Sequence, residues 1–344
     1  MLRSFVGILI SISCYFSDNL PDDASHRIWS TEMKPKVGYL LPTRECVMDG
    51  KLATAPLLSL SEKAEALGYD SIWVGDSVLA RPRHEPLTLL AAAAARTTKV
   101  ELGTAVLLPA LRNPVVLAHL VATVDQISEG RLILGIGIAT DVPNVRSEFK
   151  SAGIPFEKRV GRMMEGIRLC RSLWSGQPVK WSGRWEVECD TLGLLPSRIG
   201  GPPIWGGGSA PGALERAGKH LDGWFPIGPD AKTIGSSWKN VQQIAQTAGR
   251  KQEDLTCAAY ITLSVDDDIQ RAEERLDKYL SDYYGVPADF IKKQQACFAG
   301  PIDAAGDWID GFVDAGASHL VLRFAGDHEK HLEMFATLRP NLGQ

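Results

Sequence analysis

The chain has 344 residues, of which 37 are basic and 41 acidic, so its formal net charge at pH 7 is −4. Hydrophobic residues make up 44% and charged residues 23%, which is ordinary for a globular protein. Because no cluster of lysine and arginine stands out, the sequence argues against nucleic acid or an anionic membrane as a partner. The length suits one α/β barrel with insertions.

The cysteines and histidines indicate which disulfides and metal sites the chain could form. The six cysteines are scattered without a Cys-x-x-Cys pair, so the sequence predicts reduced thiols and a cytoplasmic protein. The closest histidine pair, His328 and His331, has no third ligand nearby. We therefore predict no metal site and expect both rings on a solvated helix face.

The first 32 residues differ from the remainder of the chain. An apolar run from Phe5 to Phe16 is similar to the core of a signal peptide, but it is shorter than the ~20 residues that span a bilayer. Met33 directly precedes Lys34-Pro35 and the first strand. We expect residues 1–32 to be an extension outside the fold and residues 33–344 to form a single domain. Export is the competing interpretation.

From Lys36 onward, short apolar runs alternate with segments of helical spacing. Eight strands, each followed by a helix, predict an α/β fold with a parallel sheet closed into a (β/α)8 TIM barrel with insertions. Residues 138–158 and 285–300 are expected to be irregular insertions, and 181–188 a small hairpin arm. The strands are predicted at 37–41, 71–75, 100–108, 131–137, 202–208, 222–228, 257–265 and 319–324.

The run from Gly206 to Pro211 is the most informative stretch, because it follows a strand and opens a helix. In a barrel, the active site lies at the carboxyl ends of the strands. Small residues let a ligand approach the backbone, Ser209 is expected to cap the helix, and free N–H groups at a helix start suit a phosphate. A tight turn without a ligand is the alternative. The missing Gly-Lys-Ser/Thr ending excludes a Walker A loop.

The loop after the second strand contains Asp76, Ser77, Arg81, Arg83 and His84. The aspartate could bind a ring edge or a substrate, or it could cap the loop. The histidine could donate a proton or be solvated, and the two arginines could hold an anionic substrate or form a solvated charge pair. No Ser-His-Asp set, reactive cysteine motif or metal cluster is recognisable, which favours a bound cofactor as the source of the chemistry.

Two further strand ends are apolar or rich in glycine. The third strand ends in the apolar wall Ala105-Val106-Leu107-Leu108, which could be barrel core or the backing of a ligand. The fourth ends in Gly135-Ile136-Gly137, which lacks the third glycine and the immediate helix of a dinucleotide fingerprint.

Four stretches together resemble one family, the luciferase-like flavin- and deazaflavin-dependent oxidoreductases. They follow the family's order and cover most of residues 37–228. The resemblance implies a TIM barrel, FMN or the deazaflavin coenzyme F420 as cofactor, and hydride or oxygen transfer. The stretches are ALGYDSIWVGD, VELGTAVLLPALRNPVVLAHLVATVDQISEGRLILGIG, FEKRVGRMMEGIRLCRSLW and GGGSAPGALERAGKHLDGWFP.

The resemblance also implies site residues. Many relatives have an Asp-His pair after strand two where this chain has Asp76-Ser77, so Asp76 and His84 are the catalytic candidates. A non-proline cis peptide is expected between Ala105 and Val106, behind the cofactor ring. The implied cofactor-binding residues are Ala105, Val106 and Leu108 of strand three, Gly137, Ile138 and Ala139 after strand four, and Gly207, Gly208, Ser209 and Ala210 of the phosphate loop.

The leading hypothesis is an oxidoreductase acting on a small organic molecule. The apolar wall and the small phosphate loop resemble the deazaflavin branch, which implies dehydrogenation or reduction, whereas FMN would imply monooxygenation. A cofactor-free lyase or aldolase on a phosphorylated substrate would need a Schiff-base lysine or a metal cluster, but Lys99 and Lys180 fall at strand starts. A non-catalytic flavin-binding protein is the third hypothesis. The resemblance and the 181–188 arm also suggest a homodimer.

Overall fold

Eight parallel strands close into a barrel, as predicted. The computed structural model describes residues 34–339 and 342–343, so the predicted extension at 1–32 lies outside the described residues. Neighbouring strands pair in the order β1-β2-β3-β4-β7-β8-β9-β11, and β11 pairs again with β1. These strands are β1 Lys36–Leu40, β2 Ser71–Val74, β3 Glu101–Thr104, β4 Leu132–Ile136, β7 Ile204–Gly206, β8 Gly223–Trp224, β9 Thr256–Val265 and β11 His319–Phe324.

Helices follow the strands and surround the barrel. Several begin as the sequence predicts: Asn113 caps a helix whose first residue is Pro114, and the carboxylate of Asp268 accepts the N–H of Arg271. The helices are α1 Thr43–Met48, α2 Ala55–Ala66, α3 Pro86–Ala94, α4 Pro114–Ile127, α5 Pro143–Ser151, α6 Arg159–Leu173, α7 Pro211–His220, α8 Ala231–Thr247, α9 Ile269–Tyr284, α10 Ala288–Lys292, α11 Ile302–Asp314 and α12 His328–Leu338.

The two segments expected to be irregular contain regular structure. Residues 138–158 include α5 and a short 3-10 helix, Phe156–Lys158. Residues 285–300 include α10 and an additional strand, β10 Ala296–Gly300, which pairs in parallel with the end of β9. The predicted arm is an antiparallel hairpin of β5 Val179–Trp181 and β6 Val187–Cys189.

The core has three parts, of which the smallest packs α9 against α10. The two larger parts are separated by the wall of the barrel. Side chains alternate along each strand, so one set fills the barrel interior and the other packs beneath the helices. The interior set comprises Leu40, Trp73, Ile133, Trp205, Phe225, Ala258 and Val321. Trp73 fits there because Gly103 faces it, and a Cβ at Gly103 would lie 2.1 Å from the indole. Large aromatic rings therefore require glycine on a neighbouring strand.

Three side chains form a hydrogen-bonded cluster inside the barrel, below its mouth. Ser71 Oγ accepts the Trp73 indole N–H at 2.7 Å and lies 2.7 Å from Nε2 of His319. Burial lowers the pKa of His319 to about 3, so the ring is neutral at physiological pH.

The prediction that both histidines of α12 are solvated is wrong. His331 is 2% exposed, and its Nε2 accepts the N–H of Val265 at 3.1 Å. His328 Nδ1 lies 2.8 Å from the hydroxyl of Tyr39, because α12 packs against the ends of β1 and β9. Within the described ranges, no helix is long and apolar enough to cross a membrane.

Candidate cofactor site at the barrel mouth

Three of the predicted strand ends meet at the mouth of the barrel. Val106 packs over two glycines: a Cβ at Gly137 would lie 2.6 Å from Cγ2 of Val106, and one at Gly207 would lie 3.7 Å from Cγ1. The residues after β3, β4 and β7 therefore share one floor. Side chains larger than hydrogen at the two glycines would displace Val106 or rise from that floor.

The end of β3 departs from regular strand geometry. The run 100–108 was predicted as one strand, but β3 ends at Thr104 and the peptide bond between Ala105 and Val106 is cis. The chain rejoins the sheet at Leu107, whose N–H donates to Gly135 O at 2.8 Å and whose carbonyl accepts from Gly137 N at 2.9 Å. The bulge leaves Ala105 and Val106 half-buried against the barrel interior.

Asp76 holds this bulge in place. Its side chain is 2% exposed and accepts the N–H of Leu108 at 2.9 Å. Both carboxylate oxygens also accept from Arg112, at 2.5 and 3.2 Å. Burial alone would lower the pKa of Arg112, but the carboxylates of Asp76 and Glu85 raise it. Asp76 therefore commits three hydrogen bonds to the protein, one to the bulge and two to Arg112.

Ser77, the residue after Asp76, is hydrogen-bonded to a buried carboxylate. Its hydroxyl donates to Oε1 of Glu148 at 2.9 Å. The same oxygen accepts three consecutive N–H groups, from Val78 at 2.5 Å, Leu79 at 2.7 Å and Ala80 at 3.2 Å. Glu148 lies on α5, so this contact fastens the loop after β2 to the loop after β4. Sequence reasoning missed it because residues 138–158 were expected to be irregular.

His84 lies in the same loop, immediately before α3. Its Nε2 is 3.3 Å from the hydroxyl of Thr54, and its Nδ1 is buried with no partner among the described residues. No described hydrogen bond joins it to the bulge at Ala105–Leu108. The catalytic role of His84 therefore stays a prediction.

The predicted phosphate loop is exposed at the start of α7. Ser209 does not cap this helix as expected: its hydroxyl donates to Ile227 O at 2.9 Å, and Ala210 is the N-cap, with no side-chain cap. Pro211 occupies the first turn as predicted. The N–H groups of Ser209, Ala210 and Gly212 donate to no other described residue. Such groups suit an anion.

Arg159, which begins α6, holds the loop after β4 in place. Arg159 Nε donates to Ile138 O at 3.0 Å, and its guanidinium lies 3.6 Å from the ring centre of Phe156. Ala139 adopts a left-handed backbone with φ 62°, which is costly for a residue other than glycine. This strained residue lies next to the glycine floor. Backbone strain of this kind is often found at functional sites.

The two lysines considered for a cofactor-free lyase are not at the barrel mouth. Lys180 is on the hairpin with its side chain 83% exposed, and Lys99 precedes β3. Neither is at the carboxyl end of a barrel strand. Within the part of the chain that the structure describes, no three metal-ligating side chains come together.

Comparisons with known proteins agree with this geometry. The model of the luciferase-like monooxygenase family matches residues 35–340. An F420-dependent glucose-6-phosphate dehydrogenase from Amycolatopsis mediterranei is 29% identical over 331 residues, which cover 88% of this chain and 96% of that protein. A 5,10-methylenetetrahydromethanopterin reductase from Archaeoglobus fulgidus is 31% identical over 210 residues, which cover 61% of this chain and 60% of that protein.

Solved structures share the fold. An F420-dependent secondary alcohol dehydrogenase, in complex with an F420-acetone adduct, superposes with a TM-score of 0.77 at 23% identity, covering 90% of this chain and 99% of that one. The family match spans the whole barrel and includes every segment of the mouth described above. The chain therefore belongs to the luciferase-like monooxygenase family of flavin- and deazaflavin-dependent oxidoreductases.

Proposed function

We propose that this protein transfers a hydride between the deazaflavin coenzyme F420 and a small organic substrate. The observation that carries the proposal is the shared floor of Val106, Gly137 and Gly207, which lies at the mouth beside an exposed helix start. A flat apolar floor suits one face of a tricyclic ring, and the free N–H groups suit its phosphate.

The described residues fit such a cofactor at two places. The half-buried wall of Ala105 and Val106, with Leu108 behind it, would back the ring, and Gly207 to Ala210 would hold the phosphate at the start of α7. When bound, the deazaflavin supplies a carbon that accepts or donates a hydride. The protein supplies orientation and a pocket that excludes water.

Two considerations support F420 rather than FMN. The similar dehydrogenase is described as F420-dependent, and it is similar over nearly its whole length. The wall behind the ring is aliphatic, with Leu107 and Leu108 buried. Hydride transfer then implies dehydrogenation or reduction.

In this proposal Asp76 is a positioning residue and His84 exchanges the proton that accompanies the hydride. The carboxylate of Asp76 is occupied by Leu108 and Arg112, whereas Nδ1 of His84 has no described partner. The His84→Gln variant should lower kcat and change its pH profile while leaving cofactor affinity unchanged. An unchanged kcat and pH profile would remove His84 from the mechanism.

The proposal includes a homodimer in the cytoplasm. The β5–β6 hairpin projects exposed residues, and Ile199, shortly after it, is 90% exposed. The arm and this exposed side chain are the surface that we propose as the interface. Light scattering from the purified chain should give twice the chain mass of 37.4 kDa. A monomer would contradict this part of the proposal.

The reaction class can be tested by turnover. The full chain is mixed with oxidised or reduced F420 and a panel of alcohols, aldehydes and imines, with oxygen excluded, while the coenzyme absorbance is followed. We expect coenzyme turnover equal to the amount of substrate converted. A parallel reaction with reduced FMN and oxygen in place of F420 is the comparison. Turnover there, with none of F420, would contradict the proposal and indicate a monooxygenase.

A further inference from the structure

Four arginines converge on two adjacent tyrosines on the side of the barrel mouth formed by β1, β2, β9 and β11. Their guanidinium carbons lie 4.9 to 5.7 Å from the ring centres of Tyr283 and Tyr284. Each arginine follows or ends a barrel strand, so all four are on the same face as the cofactor floor. They are Arg44 of α1, Arg81 and Arg83 after β2, and Arg323 of β11.

The four side chains contact neutral partners. Arg44 Nε donates to Tyr283 O at 3.0 Å, and Arg83 Nε donates to Arg81 O at 3.1 Å. No carboxylate of the described residues forms an ion pair with any of them, whereas Arg112 nearby pairs with two. The nearby acid Glu45 accepts the hydroxyl of Tyr279 instead. The cluster therefore has an excess of positive charge.

Arg323 is the most deeply buried of the four arginines. It is 1% exposed and points into the barrel, where Thr262, Tyr284 and Gln295 accept its hydrogen bonds at 2.8 to 3.1 Å. Tyr260, Tyr279, Tyr283 and Tyr284 surround it with aromatic faces. Burying a guanidinium without a carboxylate is costly, and aromatic faces offset only part of that cost.

The charges also act on one another. Burial, and then the neighbouring guanidiniums of Arg83 and Arg81, lower the pKa of Arg44, although Tyr283 and Glu45 oppose the shift. At Arg83 burial would lower the pKa, but Tyr283, Tyr260 and Glu45 raise it. Like charges held close together in partly buried surroundings attract anions. An anion between them would relieve the repulsion and supply the missing counter-charge.

The cluster borders the floor on which the cofactor ring is proposed to lie. A Cβ at Gly75 would be 2.3 Å from Nη1 of Arg83 and 3.5 Å from the carbonyl oxygen of Ala105. Tyr260, beside Arg323, also contacts the interior residue Phe225, with ring centres 6.2 Å apart. A molecule lying over the ring would therefore reach the arginines with one end.

We infer that the substrate carries an oxyanion, a carboxylate or a phosphate, which this cluster binds while the reacting carbon lies over the Ala105–Leu108 wall. The inference rests on the proposed function for the reacting end, whereas the anion site stands on the arginines alone. Planar guanidiniums bind carboxylate and phosphate oxygens in pairs.

Calorimetric titration of the full chain with sodium phosphate and with sodium benzoate, at constant ionic strength, tests the inference. We expect saturable binding of at least one anion, none of benzyl alcohol, and affinity about tenfold lower or more in Arg83→Gln. Arg83 is on a loop, so this variant should fold, and the melting temperature checks that it does. The matched control is Arg96→Gln, which removes an exposed arginine paired with Glu62 and should leave anion affinity unchanged.

The same proteins are titrated with F420, so that the two proposals can fail separately. If F420 does not bind but anion binding depends on Arg83, the anion site stands and the proposed function fails. If neither anion binds saturably, or Arg83→Gln binds both as tightly as the unaltered chain, the inference is wrong. It is also wrong if the anions compete with F420 and Arg83→Gln weakens F420 binding, because the arginines would then hold the cofactor tail.

Discussion

Replacing Asp76 by asparagine removes the charge from a buried ion pair while keeping the shape of the side chain. The carboxylate is 2% exposed, and its partner Arg112 is 16% exposed. Asparagine can still accept the Leu108 N–H, so the change isolates the ionic contact with Arg112. The matched control is Asp141→Asn, which breaks an equally bidentate pair with Arg146 in which the aspartate is 53% exposed.

The burial of the Asp76–Arg112 pair determines how much stability is lost when the pair is broken. Breaking a buried ion pair typically costs about 3–5 kcal/mol, because the remaining charge is left without a partner. Arg112 keeps its contact with the exposed Glu85 at 2.9 Å, so we expect about 2–3 kcal/mol for Asp76→Asn. For a barrel of this size, that corresponds to a fall in melting temperature of roughly 5 °C. The exposed pair of Asp141 should contribute little.

Thermal unfolding and F420 titration together decide the role of Asp76. If it positions the bulge, Asp76→Asn lowers both the melting temperature and the cofactor affinity, and Asp141→Asn lowers neither. If stability and affinity are unchanged while kcat falls steeply, the positioning argument is refuted and Asp76 is a catalytic residue. Equal destabilisation by both variants would show that burial does not set the strength of this pair.

Three further perturbations test separate parts of the structure. Gly137→Ala places a methyl group 2.6 Å from Cγ2 of Val106 and should weaken F420 binding about tenfold or more in a fluorescence titration; unchanged affinity would contradict the shared floor. Glu148→Gln weakens an acceptor of four hydrogen bonds and should destabilise the fold by about 1–3 kcal/mol, with faster amide exchange at residues 78–80; unchanged exchange would show that the contact does not fasten the loop. His319 has its pKa lowered to about 3 in the fold, so the unfolded chain binds the extra proton below its ordinary pKa of about 6.5. Stability should therefore decrease as the pH falls from about 6.5 towards 3, by about 2 kcal/mol at pH 5, and His319→Gln should flatten this dependence of melting temperature on pH; equal slopes would refute the assignment.

The barrel was predictable because its signals are local and repeated. Each strand is a short apolar run, and helix starts such as Asn113-Pro114 and Asp268 have their capping chemistry within a few residues. The hairpin arm and the glycine loop before Pro211 are local in the same sense. The cis peptide between Ala105 and Val106 followed from the family resemblance, and composition or periodicity alone would not have located it.

The errors share one physical cause, which is contact between residues far apart in the chain. Ser209 is a good N-cap by type, but its hydroxyl donates to Ile227 O in the loop after β8. Glu148 and Ser77 are 71 residues apart, so the sequence near either residue does not predict their hydrogen bond. His331 is buried by its contact with Val265, 66 residues away. The arginine in the apolar run HLVLRF was the one available signal for Arg323.

The proposed function depends on binding of the deazaflavin at the barrel mouth. The most direct measurement is a fluorescence titration of the full chain with F420 and, separately, with FMN. We predict binding of F420 at roughly micromolar concentration, FMN affinity at least about tenfold lower, and loss of F420 binding in Ser209→Asp, which places a carboxylate at the phosphate loop. Tighter binding of FMN, or no binding of either cofactor together with no effect of Ser209→Asp, would contradict the account.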